Sequence, residues 1–255
     1  MIIGGLQKTT LIDYPGKLAC TIFLAVCNFR CPWCYSSELV LPEKILKQPR
    51  LEEKYLFDFL RERKGLLEAV VICGGEPTVN KDLPKFIEKI KNLPASPQGG
   101  GFFVKLDTNG ANPEMLKNLV EAKLIDYVAM DIKGPMGPNF QFGTSSASGR
   151  AIFNFQSILG EGVKIEDIQI SAEILKEGDI DFEFRTTAVP GVHEKKDFLK
   201  IAKWIGGKNV KYYLQNFRAE KTIDPDFEKV KPYPDQWLKD IAKEISPHFK
   251  LCQLR

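Results

Sequence analysis

Short apolar segments alternate with amphipathic segments along most of this chain. Residues 19–26 are apolar and rich in β-forming side chains, and five later segments share this character. Short apolar runs between turn residues are typical of buried strands. We therefore predict six strands, at residues 19–26, 68–73, 102–107, 125–131, 182–189 and 210–217.

The segments between these strands place apolar residues at helical spacing. Residues 50–64 have one apolar face. The same pattern is found in the lysine-rich residues 195–211 and in the last predicted helix, at residues 234–245. Asp82 is a candidate cap for a helix that follows it. Asn112 precedes a proline, which is a favourable helix start because the first helical position needs no N–H donor.

Strands that alternate with helices predict a parallel sheet with right-handed crossovers. Six units are too few for an eight-fold barrel, so we expect an α/β fold with a partial (β/α)6 barrel of parallel strands. Residues 136–150 are rich in Gly, Ser and Pro and predict a loop, whereas residues 165–176 predict an extra helix. We expect residues 1–255 to form a single domain with a core at about 18–217, preceded by an N-terminal extension and followed by a C-terminal helix.

Composition narrows the function classes. The chain has 255 residues, of which 44% are hydrophobic, enough to fill the core of one large domain. The net charge of +3 comes from interspersed acids and bases, whereas a nucleic-acid surface needs clustered bases. The longest apolar run near the N-terminus, residues 18–27, is too short to span a bilayer. We expect a cytoplasmic protein that binds neither nucleic acid nor membrane.

Three cysteines lie close together, Cys27, Cys31 and Cys34, with three and two residues between them. Three thiolates can bind three irons of a cubane cluster, and the missing fourth ligand leaves one iron free to bind another molecule. A zinc site usually needs four ligands in paired spacing, and a disulfide suits an oxidising compartment. A redox pair of Cys31 and Cys34 stays open but leaves Cys27 unexplained. The spacing favours the cluster.

The other cysteines, Cys20, Cys73 and Cys252, are scattered singly, and we expect them to be ordinary thiols.

Polar groups follow the predicted strands at the edge where ligands bind in α/β folds. Gly74 and Gly75 permit close approach of a backbone, and Glu76 is a candidate acceptor for a ligand amine; a plain turn is the alternative. The charged residues at the other strand ends either contact a ligand or form ion pairs between strands. They are Asp107, Asp131 and Lys133, with Arg185 inside a strand where it could also face outward. Asn109 and Asn216 are candidates for local backbone hydrogen bonds.

Two of these motifs together resemble the signature of the radical S-adenosylmethionine (SAM) enzymes. The cysteine spacing, with Trp33 before the last cysteine, is one, and the run Gly74-Gly75-Glu76-Pro77 is the other. Residues 9–17, 107–110, 130–135 and 184–187 further resemble the glycyl-radical-enzyme activases. The resemblance is closest to the longer form of the anaerobic ribonucleoside-triphosphate reductase activating proteins.

The resemblance implies a fold and a mechanism. The fold is a partial barrel of the radical SAM type, and Cys27, Cys31 and Cys34 hold one 4Fe–4S cluster. The open iron chelates SAM, and one electron, expected from reduced flavodoxin or ferredoxin, cleaves SAM to methionine and a 5′-deoxyadenosyl radical. The radical takes a hydrogen atom from a glycine of a partner glycyl radical enzyme. Gly74, Gly75 and Glu76 are then assigned to the methionine end of SAM.

The resemblance also implies roles for other residues. Trp33 and Tyr35 pack near the nucleoside, and Arg185 binds near the carboxylate. The positions that match residues lining the cofactor or a nearby cation are Asp107, Asp131 and Lys133.

The chain departs from many activases after Cys34, the last cysteine of the motif, where Tyr35-Ser36 replaces His-Asn. Only Cys73 lies between the two motifs, which predicts a single cluster. Two other functions stay open. One is a radical enzyme acting on a small molecule, such as the 7-carboxy-7-deazaguanine synthases. The other is an iron–sulfur electron carrier without catalysis, against which the Gly-Gly-Glu-Pro run argues.

Overall fold

The computed structural model describes residues 1–96, 99–136, 141–142, 153–154 and 158–255. Most strands of this part of the chain form one sheet, in the order β1-β2-β3-β4-β5-β8-β9-β10. The strands are β1 (Ile3–Thr10), β2 (Ala19–Leu24), β3 (Ala69–Gly74), β4 (Phe103–Thr108), β5 (Tyr127–Asp131), β6 (Gln141–Phe142), β7 (Phe153–Asn154), β8 (Asp181–Ala188), β9 (Gly207–Asn216) and β10 (Phe249–Leu254). β1 is antiparallel to β2, and all other neighbours in this sheet are parallel.

The α/β prediction of an open barrel with parallel strands is confirmed, and the six predicted strands correspond to β2, β3, β4, β5, β8 and β9. β1 and β10 were not predicted; they are the two edges of the sheet and do not pair with each other in the described residues. The strand predicted at residues 19–26 ends at Leu24 instead, because the chain turns at Val26, which has a φ of 78°.

Eight α-helices are found in the described residues: α1 (Ser37–Val40), α2 (Pro42–Ile45), α3 (Glu53–Glu62), α4 (Leu83–Lys91), α5 (Pro113–Glu121), α6 (Ile165–Glu177), α7 (Lys195–Ile205) and α8 (Asp235–Ile245). The Asn112 side chain caps α5, as predicted, by accepting a hydrogen bond from the N–H of Met115 at 3.1 Å. The predicted cap of α4 is wrong, because the Asp82 side chain makes no capping hydrogen bond. None of these helices combines the length and apolar character that a membrane crossing requires.

Two sequence predictions failed at element ends. The helix predicted over 195–211 stops at Ile205, and β9 begins at Gly207. Most of the loop predicted at 136–150 lies outside the described residues, but Gln141–Phe142 is a strand that pairs with Phe153–Asn154. The extra helix predicted at 165–176 is confirmed as α6.

The two faces of the sheet differ in chemistry. The outer face packs against the helices in the main core; for example, Val70 and Ile72 of β3 lie in one apolar cluster with Leu56 and Leu60 of α3. Burial of each such side chain contributes about 1.5–3 kcal/mol to stability. The inner face carries alternate residues of the same strands, and only a small apolar cluster, which includes Val71, lies on it. The rest of the inner face is therefore free to carry polar groups.

Candidate functional site

The three cysteines lie on the loop after β2, at the carboxyl edge of the parallel strands. Cys31 is buried, and Cys27 and Cys34 are half-buried. The N–H of Cys34 donates to the carbonyl of Cys31 at 3.0 Å, so the segment between these two thiols is a tight turn. Backbone amides also reach the sulfurs: the N–H of Phe29 lies 3.3 Å from Cys27 Sγ, and the N–H of Ser36 bonds to Cys34.

The thiol environment fits an iron–sulfur cluster. Burial raises the pKa of Cys27 to about 12 and also raises the pKa of Cys31 and Cys34, so each needs a nearby positive centre to ionise. The positive charge of Lys133 partly opposes this increase in the pKa of all three thiols. Hydrogen bonds from backbone amides to sulfur are a general feature of iron–sulfur sites.

Cys27 and Cys34 both raise the pKa of Cys31 through their charge, so the three thiols lie close together. In the part of the chain that the structure describes, no three His, Cys, Asp or Glu side chains converge to hold a single metal ion. A cubane requires no such convergence, since each thiolate binds a different iron. The donor set of the cysteine loop therefore fits the group that the sequence implies.

Other segments hold the cysteine loop through its backbone. The carbonyl of Asn28 accepts from the N–H of Gly160 at 2.7 Å. On the other side, the N–H of Ile223 donates to the carbonyl of Cys34 at 3.0 Å, and the N–H of Asp224 donates to that of Pro32 at 2.9 Å. The loop is thus fixed from two distant parts of the chain.

Gly74 and Gly75 lie against the strand that leads to the cysteines. The N–H of Gly75 donates to the Leu24 carbonyl, and the N–H of Glu76 donates to the Val26 carbonyl, both at 2.8 Å. A Cβ atom on Gly74, whose φ is 120°, would lie 2.3 Å from the Leu24 oxygen, and one on Gly75 would lie 2.2 Å from the Val26 oxygen. The close approach expected of these glycines is therefore an approach to the protein's own backbone.

Glu76 has a different environment from the one expected of a ligand contact. Its side chain is only 1% exposed. Oε1 accepts from the N–H and the hydroxyl of Thr78 (3.1 and 2.6 Å) and from the Thr108 hydroxyl (2.7 Å), and Oε2 accepts from the N–H of Asn109 at 2.6 Å. Burial raises the pKa of Glu76, and these hydrogen bonds oppose the increase. The carboxylate ties the end of β3 to the end of β4, and three of these four hydrogen bonds are accepted by Oε1.

Asn109 continues this connection to the cysteine loop. Its Nδ2 donates to Asn28 Oδ1 at 2.8 Å, and its Oδ1 accepts from the N–H of Ala111 at 2.9 Å. The local hydrogen bond was predicted, but the contact with Asn28 was not. Glu76, Asn109 and Asn28 therefore connect the glycine motif to the cysteine motif through hydrogen bonds alone. Asn216, also predicted to bond locally, accepts from the N–H of Phe217 at 3.0 Å.

The predicted charged residues form one network on the inner face, which we call the strand-end network. Arg185 Nη1 lies 2.9 Å from Asp107 Oδ2, and Arg185 Nε lies 2.8 Å from Asp131 Oδ1. Lys133 Nζ lies 2.9 Å from Asp131 Oδ2. Lys105, which the sequence analysis did not select, is 1% exposed and pairs with Asp107. Arg185 faces inward and forms ion pairs with carboxylates of two other strands.

The strand-end network contains three cations and two carboxylates, so it has one net positive charge. Burial alone would raise the pKa of Asp131, but Arg185 and Lys133 reverse this effect and hold the pKa well below its usual range. For Lys133, burial opposes the charged form, and Asp131 outweighs it and raises the pKa. Asp131, Lys133 and Arg185 therefore stay charged at neutral pH, and the excess positive charge of the network favours an anionic group at this edge.

The two aromatic residues of the cysteine loop are placed differently. Trp33 is 4% exposed and packs against Phe227 and His193, with ring centroids 6.2 Å apart in both cases. Tyr35 is 56% exposed. Of the two residues predicted to pack near a nucleoside, Tyr35 presents an accessible ring, whereas Trp33 serves mainly as part of the core.

His193 also belongs to this region and was not selected from the sequence. It is 1% exposed, and its Nε2 lies 2.9 Å from the carbonyl oxygen of Lys133. A single histidine in a segment rich in charged residues has no spacing pattern that would identify it. Asn28 is part of the cysteine motif, but its side-chain partner, Asn109, is 81 residues away in the sequence, so the motif alone does not indicate this contact.

Comparison with known proteins gives a family and a fold. The family model described as the radical SAM superfamily matches residues 21–205. A protein of Methanocaldococcus jannaschii, whose name assigns it to the glycyl-radical enzyme activating enzymes, is 32% identical over 95% of this chain and 90% of its own length.

Two solved structures share the fold over most of this chain. Streptococcus suis SuiB has a TM-score of 0.59 at 11% identity and 91% coverage of this chain. Native anSMEcpe with bound AdoMet and a peptide has a TM-score of 0.56 at 13% identity and 92% coverage. The chain spans 48% and 62% of the lengths of these two proteins, respectively.

Proposed function

Because the chain belongs to the radical SAM superfamily, we propose that this radical SAM enzyme activates a glycyl radical enzyme. Its cofactors are the two that define the family, a 4Fe–4S cluster and SAM. The observation that carries the proposal is the direct connection of the cysteine motif and the Gly74-Gly75-Glu76 motif through Asn28 and Asn109.

In this proposal, Cys27, Cys31 and Cys34 are the cluster ligands. When bound, the cluster and SAM together supply one-electron cleavage of a sulfonium bond, which yields methionine and a 5′-deoxyadenosyl radical. The amides of Phe29 and Ser36 stabilise two of the thiolates, and Lys133 adds positive charge beside all three. The chain thus provides a fixed and electrostatically favourable site for the cofactors, whose chemistry performs the reaction.

The rest of the carboxyl edge would hold SAM. In this proposal, the backbone of Gly74 and Gly75 lies beside the methionine amine. Glu76 positions this backbone through its own hydrogen bonds rather than acting as a free carboxylate. The strand-end network has a net positive charge, once Lys105 is counted with Asp107, Asp131, Lys133 and Arg185, and this charge suits the methionine carboxylate. Tyr35 offers an exposed ring to the nucleoside, and Trp33 orients the loop from within.

The partner is the finer part of the proposal. The likeness to a relative named as a glycyl-radical enzyme activating enzyme supports a protein substrate. The resemblance of the sequence to the anaerobic ribonucleoside-triphosphate reductase activating proteins supports that reductase as the partner. We propose reduced flavodoxin or ferredoxin as the electron donor. We further propose that residues 1–255 form one radical SAM domain, since β1 and β10 extend the sheet of the matched region at both edges.

The test has two stages, both anaerobic. The protein is reconstituted with iron and sulfide, reduced with dithionite and given SAM, and 5′-deoxyadenosine is measured by chromatography. The anaerobic ribonucleotide reductase of the same genome is then added, and a glycyl radical is sought by electron paramagnetic resonance. The Cys31→Ala variant serves as the control without a complete ligand set.

Each result has a clear meaning. Formation of 5′-deoxyadenosine together with a glycyl radical supports the proposal in full. Formation of 5′-deoxyadenosine without a radical on the reductase, or on any other glycyl radical enzyme of that genome, would favour a small-molecule substrate, as in the 7-carboxy-7-deazaguanine synthases. A cluster without 5′-deoxyadenosine would favour an electron carrier.

A further inference from the structure

A buried histidine joins three segments of the site. His193 lies after β8, and its Nδ1 is 3.1 Å from the backbone N–H of Val189. Its Nε2 is 2.9 Å from the carbonyl oxygen of Lys133, which follows β5. Its ring packs edge-on against Trp33 of the cysteine loop. The segments after β5, β8 and β2 therefore meet at one imidazole.

These contacts define the protonation state of the ring. An N–H group can donate only to a nitrogen that carries no proton, so Nδ1 is unprotonated. The remaining proton is on Nε2, where it is donated to the Lys133 carbonyl. Burial lowers the pKa of His193 to about 4, so the imidazole is neutral at physiological pH. A neutral ring with this tautomer satisfies both backbone groups.

Two further contacts hold His193, one at its backbone carbonyl and one at its ring. The Tyr233 hydroxyl donates to the His193 carbonyl oxygen at 2.6 Å, and the Phe198 ring packs against the imidazole with centroids 5.7 Å apart. A residue fixed at its ring and its backbone transmits a defined position to its neighbours. Here those neighbours are Trp33, between two cysteines, and Lys133, whose ammonium acts electrostatically on all three thiols.

We infer that His193 is a positioning residue that sets the reduction potential of the cluster by fixing Lys133 and Trp33 beside the cysteine loop. Reduction adds negative charge to a cluster, and hydrogen bonding and nearby charge are general determinants of cluster potentials. If Lys133 moves away, the reduced state loses stabilisation. The inference rests on the proposed cysteine ligands and does not depend on the identity of the partner enzyme.

The test is a redox titration of the reconstituted full chain, followed by electron paramagnetic resonance. His193→Phe keeps an aromatic ring but removes both hydrogen bonds. At the midpoint potential of the unmodified protein, we expect the ratio of reduced to oxidised cluster in His193→Phe to be about threefold lower. For a one-electron couple, this corresponds to a midpoint potential lower by about 28 mV. His193→Gln, which can again donate to the Lys133 carbonyl, should recover most of this loss.

Three further variants separate positioning from general stability. Lys133→Met should lower the same ratio, and adding His193→Phe to it should have a smaller effect than His193→Phe alone, because only the contact with Trp33 then remains. Ile201→Val removes one methyl from the core of α7 and should leave the potential unchanged. Tyr233→Phe removes a single hydroxyl and should shift the ratio in the same direction as His193→Phe, which keeps the test decisive if the latter does not fold.

Equal potentials for the unmodified protein, His193→Phe and Tyr233→Phe would overturn the inference, as would an equal shift in Ile201→Val. A full additional shift in the double variant would show that His193 does not act through Lys133. If the unmodified protein binds no iron, the cysteine assignment itself fails, and iron analysis distinguishes that result from the others.

Discussion

The side-chain amide of Asn109 donates a hydrogen bond to Asn28 Oδ1 across 2.8 Å, and these residues belong to two different motifs. Asn28 directly follows Cys27, the first cysteine of the motif. The backbone N–H of Asn109 donates to the carboxylate of Glu76. This side-chain hydrogen bond therefore joins the cysteine loop to the glycine motif, in addition to the backbone hydrogen bonds that Gly75 and Glu76 donate to Leu24 and Val26. A site that must hold a cluster and SAM in contact depends on the relative position of the two motifs.

The coupling between the two asparagines is measurable. Asn28→Ala and Asn109→Ala should each lower the free energy of unfolding, and a double-mutant cycle should give a coupling of about 1 kcal/mol, as for a typical hydrogen bond. Denaturant unfolding of the cluster-free protein under reducing conditions provides the four values. Strict additivity of the two changes would contradict the contact.

Loss of any proposed ligand should abolish the cluster. Cys27→Ala, Cys31→Ala and Cys34→Ala should each lose 5′-deoxyadenosine formation, because a cubane held by two thiolates lacks a required ligand. Iron and sulfide analysis after reconstitution, together with chromatography, tests this. Cys252→Ala is the matched control, since Cys252 lies half-buried on β10 and should retain full iron content. Activity in any of the first three variants would exclude the assignment.

Adding one methyl group at Gly75 should separate the two motifs. Its Cβ would lie 2.2 Å from the Val26 oxygen and 3.3 Å from the Cys27 nitrogen, so backbone must move. Overpacking typically costs about 1–3 kcal/mol, and we expect Gly75→Ala to weaken SAM binding about tenfold while iron content stays unchanged. Equilibrium binding to the reconstituted protein measures the change.

Gly5→Ala controls for the loss of a strand glycine, because the nearest atom to its Cβ is at an ordinary distance of 3.6 Å. The same loss of SAM affinity in both variants would mean that the effect does not arise from the contact with Val26.

Removing the centre of the strand-end network should destabilise the protein. Arg185→Met leaves Asp107 and Asp131 without their shared partner, and breaking a buried pair in this way typically costs about 3 kcal/mol. Arg185→Lys should recover only part of this, since one ammonium cannot reproduce the two-sided guanidinium contact. Arg61→Met removes the exposed pair with Asp58 and should change the free energy of unfolding little. Equal effects at Arg185 and Arg61 would contradict the structure.

His193 should make the cluster-free protein sensitive to mild acid. Burial, aided by the charge of Lys133, lowers its pKa from an ordinary value of 6.5 to about 4. Between these values the unfolded chain binds more protons than the folded one, so stability falls as pH decreases from about 6.5 to 4. His193→Gln should remove this part of the pH dependence of unfolding. An unchanged slope in that interval would show that the folded protein does not keep the imidazole neutral.

The strand pattern was predictable where strands are buried on both faces. β3 is a continuous apolar run and β2 is nearly so, and local composition therefore identifies both. β1 contains Gly4, Gly5 and Lys8, and every residue of β10 is half-buried or exposed. Edge strands of this kind are defined by pairing with the neighbouring strand, which a local pattern does not contain.

The site was predictable as a set of positions but not as a set of contacts. Parallel strands bring their carboxyl ends together, which was enough to select Asp131 and Arg185. Whether these two charges would meet each other or a ligand depended on strand register, and Asp131 is directly opposite Arg185 in the β5–β8 pair. Glu76 can be buried because Thr78, Thr108 and Asn109 together donate hydrogen bonds to its carboxylate. None of these three residues, taken alone in the sequence, indicates that Glu76 is buried.

The contacts of Gly74 and Gly75 have a consequence for how such sequences diverge. Either residue would clash with the backbone of β2 or the turn after it if it carried a side chain, whether or not a cofactor is ever bound. A descendant that lost its chemistry but kept its sheet would still be selected to retain both glycines. Surface groups such as Tyr35 are under no such packing requirement and would drift once the ligand was lost. Among descendants of this protein, substitution at Tyr35 is therefore the more sensitive record of a change in use, and the glycine pair is the more durable record of common ancestry.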